Sequence, residues 1–182
     1  MKILVTGKGG REHAILSALR DTAPNAKLYA HPGSDAIAEL ATCVEAKDLV
    51  GLVAFMQREK IALCVAGEES CLVKDRGLAN LCAEAGIPCW GPVKEAAQLE
   101  ASKVFAKKFL KRHGIPSAAF GVASTKHEAL RAITQYPVVL KFDGLAAGKG
   151  VAVCPDEASA VAFVDEVFTR RAFGEGDLLI ED

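Results

Sequence analysis

The 182-residue chain sets 22 basic against 23 acidic side chains and is 51% hydrophobic. That is enough apolar material for one large or two small buried cores, and the even charge excludes an advertised basic face, so nucleic acid is not an expected partner. The longest apolar runs fall well short of a membrane span and the first residues lack the long apolar segment and cleavage site of a secretory signal, which predicts no membrane partner and a cytoplasmic location.

In chain order, residues 2–6 form a short apolar run that reads as a strand. Gly7-Lys8-Gly9-Gly10 follows, and then Ala14, Ile15, Ala18 and Leu19 share one helical face. A strand near 27–31, a helix near 47–58, a strand at 61–66, a helix near 72–85 and a short strand at 88–90 continue the alternation. Such alternation predicts a Rossmann-like α/β domain, a parallel sheet with covering helices, over residues 1–92. Gly91-Pro92 closes that unit, and residues 93–112 read as helical until His113-Gly114-Ile115-Pro116 stops them, so a helical linker is expected over 93–118.

The remaining residues, 119–182, read as a strand near 119–122, a helix near 125–134, the run Val138-Val139-Leu140-Lys141-Phe142, a glycine loop, a strand at 151–153, a helix near 156–168 and a last strand at 178–180. This second unit stops at Glu181-Asp182 with no closing helix, and roughly 65 residues make a thin domain, which predicts a truncated piece of a longer protein.

Cysteines stand at 43, 64, 71, 82, 89 and 154 with no closely spaced pair to hold a metal and no dense disulfide framework. Cys64, Cys82 and Cys154 lie in apolar stretches where cysteine acts as a small hydrophobe, so all six are read as reduced thiols and these three as core. Trp90, Phe105 and Phe109 are likewise assigned to packing.

Two glycine loops are candidate sites. Gly7-Lys8-Gly9-Gly10-Arg11-Glu12-His13 lies between a strand and a helix, where backbone amides and the helix dipole favour an anion, although the glycines also serve a tight turn. A dinucleotide fingerprint is disfavoured, because Glu12 stands at its third glycine and no acidic residue follows the second strand. Glu68 and Glu69, after the strand at 61–66, suit either ligand hydroxyls and amines or a helix start.

The second loop, Lys141-Phe142-Asp143-Gly144-Leu145-Ala146-Ala147-Gly148-Lys149-Gly150, puts paired lysines and three glycines between two short apolar runs. It reads as strand, mobile loop, strand. A Walker loop is excluded, since the glycine spacing is short, Gly150 follows Lys149 and a strand comes next. A flap whose amides and lysines can close over a triphosphate remains. The basic run Lys107, Lys108, Lys111 and Arg112 reads as a solvated helical face.

These motifs resemble the glycinamide ribonucleotide synthetases, ATP-grasp ligases of purine biosynthesis. The family's Gly-Asn-Gly-Gly-Arg-Glu-His is matched apart from Lys8, and its Lys-x-Asp-Gly-Leu-Ala-Ala-Gly-Lys-Gly-Val is matched in full at residues 141–151. Its Ala-Gln-Leu-Glu-Gly-Ser-Lys is matched at 97–103 with Ala101 for glycine; Gly67-Glu68-Glu69 lacks the family's prolines, and Pro32-Gly33 precedes Ser34 where asparagine is usual.

The resemblance implies a pre-ATP-grasp domain over 1–92 and the beginning of an ATP-grasp domain over 119–182. It further implies that Gly9, Gly10, Arg11, Glu12, Gly33 and Glu69 lie near the phosphoribosyl substrate, and that Lys103, Lys141, Gly144, Gly148, Lys149, Gly150, Glu181 and Asp182 serve ATP. Glycine and phosphoribosylamine are the implied substrates, joined through a glycyl phosphate. Mg²⁺ is the implied metal, with its ligands beyond Asp182, and no catalytic side chain is assigned. Rival readings are another ATP-grasp ligase or carboxylase component and a non-catalytic module holding a phosphorylated ligand.

Overall fold

The computed structural model describes residues 1–146 and 148–181. It divides into two units, Met1–Ala97 and Gln98–Asp182. The division falls inside the stretch expected as a linker and assigns the helix that follows Ser102 to the second unit.

The first unit runs β1 (Lys2–Gly7), α1 (Gly10–Thr22), β2 (Lys27–Pro32), α2 (Asp35–Ala38), β3 (Thr42–Cys43), α3 (Leu49–Glu59), β4 (Leu63–Ala66), α4 (Ser70–Val73), α5 (Leu78–Glu84) and β5 (Cys89–Trp90). The strands lie in the order β3-β2-β1-β4-β5 and every pairing is parallel. Side chains alternate across the pleat, so consecutive residues feed two different cores. Ile3, Val5, Leu28, Ala30 and Val65 pack with Leu16 and Ile37 on one face. Leu4, Tyr29 and Cys64 pack with Leu52, Met56, Leu78 and Cys82 on the other. Leu52 and Met56 are fully buried, and truncating either to alanine would cost about 2–5 kcal/mol.

Two local readings change. The buried stripe of α1 carries Glu12 and Leu16, with Ile15 and Leu19 beside it, while Ala14 and Ala18 face outward. Glu12 is drawn beneath the first loop, and that contact sets the rotation of the helix. The helix expected over 72–85 is broken between α4 and α5, where Asp75 (φ 51°) and Gly77 (φ 78°) take left-handed backbone that no helix accommodates.

Helix α6 (Lys94–Ala101) runs across the division of the chain. The second unit then follows with α7 (Lys103–Arg112), β6 (Phe120–Ala123), α8 (Lys126–Ala132), β7 (Val138–Phe142), β8 (Val151–Cys154), α9 (Glu157–Phe168) and β9 (Leu178–Glu181). The helical stretch expected over 93–112 is thus two helices, because the Ser102 side chain accepts from the Phe105 amide at 2.9 Å and starts α7 afresh.

The sheet order is β6-β9-β7-β8, antiparallel throughout. Val138, Leu140 and Phe142 face a core shared with Leu178, Ile180, Ala129, Phe163, Val164 and Val167. The alternate residues of β7 and β9, Lys141 and Glu181 among them, therefore share the opposite face. Among the described residues no helix is long and apolar enough to cross a membrane.

Candidate functional site

In the first unit the sheet order reverses direction between β1 and β4, and the segments leaving the carboxyl ends of both strands meet there. Such a switch point is where open α/β sheets leave a crevice for ligands. Gly9 caps α1 in extended backbone, and its amide donates to Glu12 Oε2 at 2.8 Å. Gly33, leaving β2, donates its amide to the Gly7 carbonyl at 3.2 Å, which ties a third strand end to the same place.

Glu12 is buried beneath this loop. Glycine is required around it, since a Cβ at Gly7 or at Gly67 would stand 2.5 Å from Glu12 carbon atoms. The carboxylate also accepts from Arg11 Nε at 3.0 Å. Arg11 then turns its fork to Glu69, with Nη1 and Nη2 donating to the two carboxylate oxygens at 2.8 and 3.3 Å. These hydrogen bonds, Glu69 first and Glu12 second, push the guanidinium pKa above its ordinary value, and Arg11 holds the Glu69 carboxyl below the usual range.

The six residues expected at the phosphoribosyl site therefore belong to one sheet edge. Gly9, Gly10, Arg11, Gly33 and Glu69 border it, while Glu12 braces it from below. Thr6 was not singled out from the sequence; it is buried, and its hydroxyl accepts from the Gly67 amide at 3.3 Å.

The second unit concentrates cations around the hairpin between β7 and β8. Lys141 projects from β7, and its Nζ lies 2.5 Å from Glu181 Oε2. Lys107 Nζ lies 2.9 Å from the other oxygen, Oε1, and also donates to Ser117 Oγ and the Ala118 carbonyl at 2.5 and 3.1 Å. Burial works against the Glu181 carboxylate, yet the two lysines outweigh it and leave its pKa below the ordinary value.

Lys107 thus corrects the reading of a solvated face. It is buried, whereas Lys108, Lys111 and Arg112 on the same helix are exposed. The aromatic assignment is corrected as well, because Trp90 is 67% and Phe105 38% exposed and neither packs in a core. The Phe109 ring lies tilted at 43° against that of His113, with centroids 4.4 Å apart.

The base of the hairpin is tied to the start of α7. Ser102 Oγ donates to Asp143 Oδ2 at 3.0 Å, the Val104 amide donates to Asp143 Oδ1 at 3.1 Å, and Lys103 Nζ donates to the Gly144 carbonyl at 3.1 Å. Gly144 and Gly148 adopt φ of 151° and 79°, backbone that favours glycine. Gly150 is buried, and a Cβ there would stand 2.8 Å from that of Ala146. Lys149 is exposed, and Asp182 lies outside the described residues.

This donor set of Lys103, Lys141, Lys149 and loop amides fits a polyanion. It does not fit Mg²⁺, because the buried carboxylate, Glu181, is already neutralised by two lysines and hard divalent cations take carboxylate oxygens.

Both halves of the chain match known proteins. Residues 1–100 match the family model described as phosphoribosylglycinamide synthetase, N domain, and residues 101–182 match the ATP-grasp (A) domain of the same synthetase. The phosphoribosylamine–glycine ligase of Allochromatium vinosum is 45% identical over 180 residues, 96% of this chain and 42% of the relative. That of Caulobacter vibrioides is 44% identical over 176 residues, 94% of this chain and 40% of the relative. The chain spans well under half the length of these curated relatives.

The crystal structure of the phosphoribosylamine–glycine ligase from Thermotoga maritima superposes with a TM-score of 0.80 at 30% identity, covering 100% of this chain and 44% of that one. An ADP complex of N5-carboxyaminoimidazole ribonucleotide synthetase shares the fold alone, with a TM-score of 0.74 at 19% identity over 98% of this chain and 46% of that one. The chain belongs to the phosphoribosylglycinamide synthetase family, with residues 1–100 matching its N domain and residues 101–182 its ATP-grasp domain.

Proposed function

We propose that the chain supplies the phosphoribosyl subsite and the triphosphate grip of an ATP-dependent ligase that joins glycine to 5-phosphoribosylamine, giving glycinamide ribonucleotide. A glycine carboxylate oxygen attacks the γ-phosphorus of ATP and ADP leaves. The amine of phosphoribosylamine then attacks the acyl carbon of glycyl phosphate and inorganic phosphate departs.

The reaction asks the protein to hold three reactants in register and to compensate phosphate charge. Lys141 and Lys103 are assigned to the phosphates, with Lys149 and the amides of Gly144, Gly148 and Gly150 closing over them. Glu181 and, by sequence alone, Asp182 are assigned to the adenine hinge. On the other unit, Arg11 and the Gly9 and Gly10 amides are assigned to the phosphoribosyl group, and Glu69 to its hydroxyls or amine. Mg²⁺ would add to the compensation of phosphate charge when bound.

The observation that carries the reading is the lysine on a firm strand directly before a glycine hairpin, with its charge compensated by Glu181 on the neighbouring strand. Titration calorimetry with ATP, in an active protein that carries these residues, tests it. Lys141→Ala is expected to weaken ATP binding without unfolding the chain, and an unchanged affinity would refute the role.

A further inference from the structure

Three of the six cysteines meet in the first unit although they are far apart in the chain. Cys64 on β4 and Cys89 on β5 are partners in the parallel register, so their side chains leave the sheet on one face. Helix α5 makes the crossover between these strands and turns Cys82 from its buried side onto the same face. The three Sγ atoms all lie within 4.8 Å of one another, the one such group of ligand-bearing side chains among the described residues.

That spacing is close to what a single ion needs. Three sulfurs at the zinc–thiolate distance of about 2.3 Å around a trigonal centre stand about 4.0 Å apart, so side-chain adjustments of under about an ångström would close the set. Cys64 and Cys82 are fully buried, whereas half-buried Cys89 lines a surface cavity of about 380 Å³ together with Ala79, Ala83, Ile87 and Pro88, which gives an ion a way in.

The surroundings narrow the choice of ion. Thiolates select soft metals over Mg²⁺ or Ca²⁺. Structural zinc is almost always held by four ligands in a tetrahedron, and among the described residues no fourth cysteine, histidine or carboxylate completes this group. A three-sulfur set lined by apolar side chains suits an ion content with low coordination.

We propose that Cys64, Cys82 and Cys89 form a three-thiolate site for one soft, thiophilic metal ion, with monovalent copper the best fit. Each copper–sulfur bond replaces a proton on its sulfur, and the protons pass to solvent. No electron is transferred. The bound ion clamps β4, α5 and β5, and therefore raises the stability of the first unit with the logarithm of the free-ion concentration above its dissociation constant. This site is independent of the ligase reading.

The experiment is anaerobic titration of the reduced chain with Cu(I) buffered by a bathocuproine competitor. One equivalent is expected to be retained, with near-ultraviolet thiolate-to-copper absorption. Cys82→Ser and Cys89→Ser should each abolish the retained equivalent, while Cys43→Ser, at an exposed thiol, should keep it. Should the serine variants fail to fold, alkylation of the unaltered chain decides the matter: copper should shield Cys89, the partly exposed member of the set, from iodoacetamide relative to the copper-free chain, read by peptide mass spectrometry, and leave Cys43 reactive. A folded chain that retains no copper, an equivalent that survives both serine variants, or shielding confined to other cysteines would each overturn the site. Uptake of Zn(II) in preference to Cu(I) would overturn the choice of ion.

Discussion

The two units build polar sites in opposite ways. In the first, a parallel sheet gathers three strand ends at one edge, and the site is largely backbone: glycine amides, with Arg11 and Glu69 satisfying each other above a buried Glu12. In the second, an antiparallel sheet offers no such edge, and the site is made of long cationic side chains raised from β7 and α7 around a hairpin. The contrast teaches that a parallel sheet obtains polarity from where its strands stop, whereas an antiparallel one must place charge on its faces and neutralise it there.

Breaking the neutralisation is expected to give the largest effect. Lys107→Met leaves Glu181 short of one counter-charge in a buried setting and should destabilise the second unit by about 3–5 kcal/mol in denaturant titration. Replacing Glu181 with leucine in the same chain should restore much of that loss, since removing both partners of a buried pair is far milder than removing one. Loss no greater than at an exposed lysine would show that the charges on this face are not coupled.

The same carboxylate fixes a pH window. Its pKa in the folded chain lies below the ordinary 4.5, so the stability it contributes is present above that value and disappears as pH falls through the lower, folded one. Glu181→Gln should flatten this acid limb in hydrogen exchange of the β7 and β9 amides.

Next in size is ligand binding. Lys141→Ala should weaken ATP binding by about 10- to 100-fold, the equivalent of one charge-assisted hydrogen bond, whereas Arg11→Ala should leave ATP affinity unchanged. Equal losses in both variants would erase the distinction between the two sites.

Smaller effects belong to the backbone-built site. Glu12→Ala strands the Gly9 amide and should cost about 1–3 kcal/mol, seen as a lower thermal midpoint of the first unit with β7 and β9 exchange unaltered. Arg11→Ala removes the half-exposed pair with Glu69, worth at most about 1 kcal/mol, and also the Nε hydrogen bond to buried Glu12, so its total cost in stability should approach that of Glu12→Ala.

How much of this was legible follows from where each signal resides. The hairpin motif is contiguous and could be read directly, as could the parallel sheet, because strand and helix alternate along residues 1–90, whereas Lys103 was singled out only through the family resemblance of residues 97–103. Lys107 was not legible. On its own helix it continues a basic run, and only the arrival of β9 sets Glu181 against it.

The burial of Glu12, though not its place in the loop motif, escaped for the reverse reason, since it depends on two loops closing over the side chain, and a helical face judged by apolar residues alone was assigned to Ala14, Ile15, Ala18 and Leu19. The thiol cluster needed the crossover itself. Nothing in the spacing of Cys64, Cys82 and Cys89 announces that one βαβ turn superposes them.

Glu181 sits between two ammonium groups, and that arrangement bears on turnover. Should Lys141 swing toward an arriving triphosphate, Lys107 stays behind as a resident counter-ion and no carboxylate is stranded. Capture then amounts to trading one anion for another at a cation that is never bare, so the grip is measured by the difference between phosphate and carboxylate. Under the proposed function, a grip of that size would hold nucleotide for the reaction and still let the spent diphosphate go.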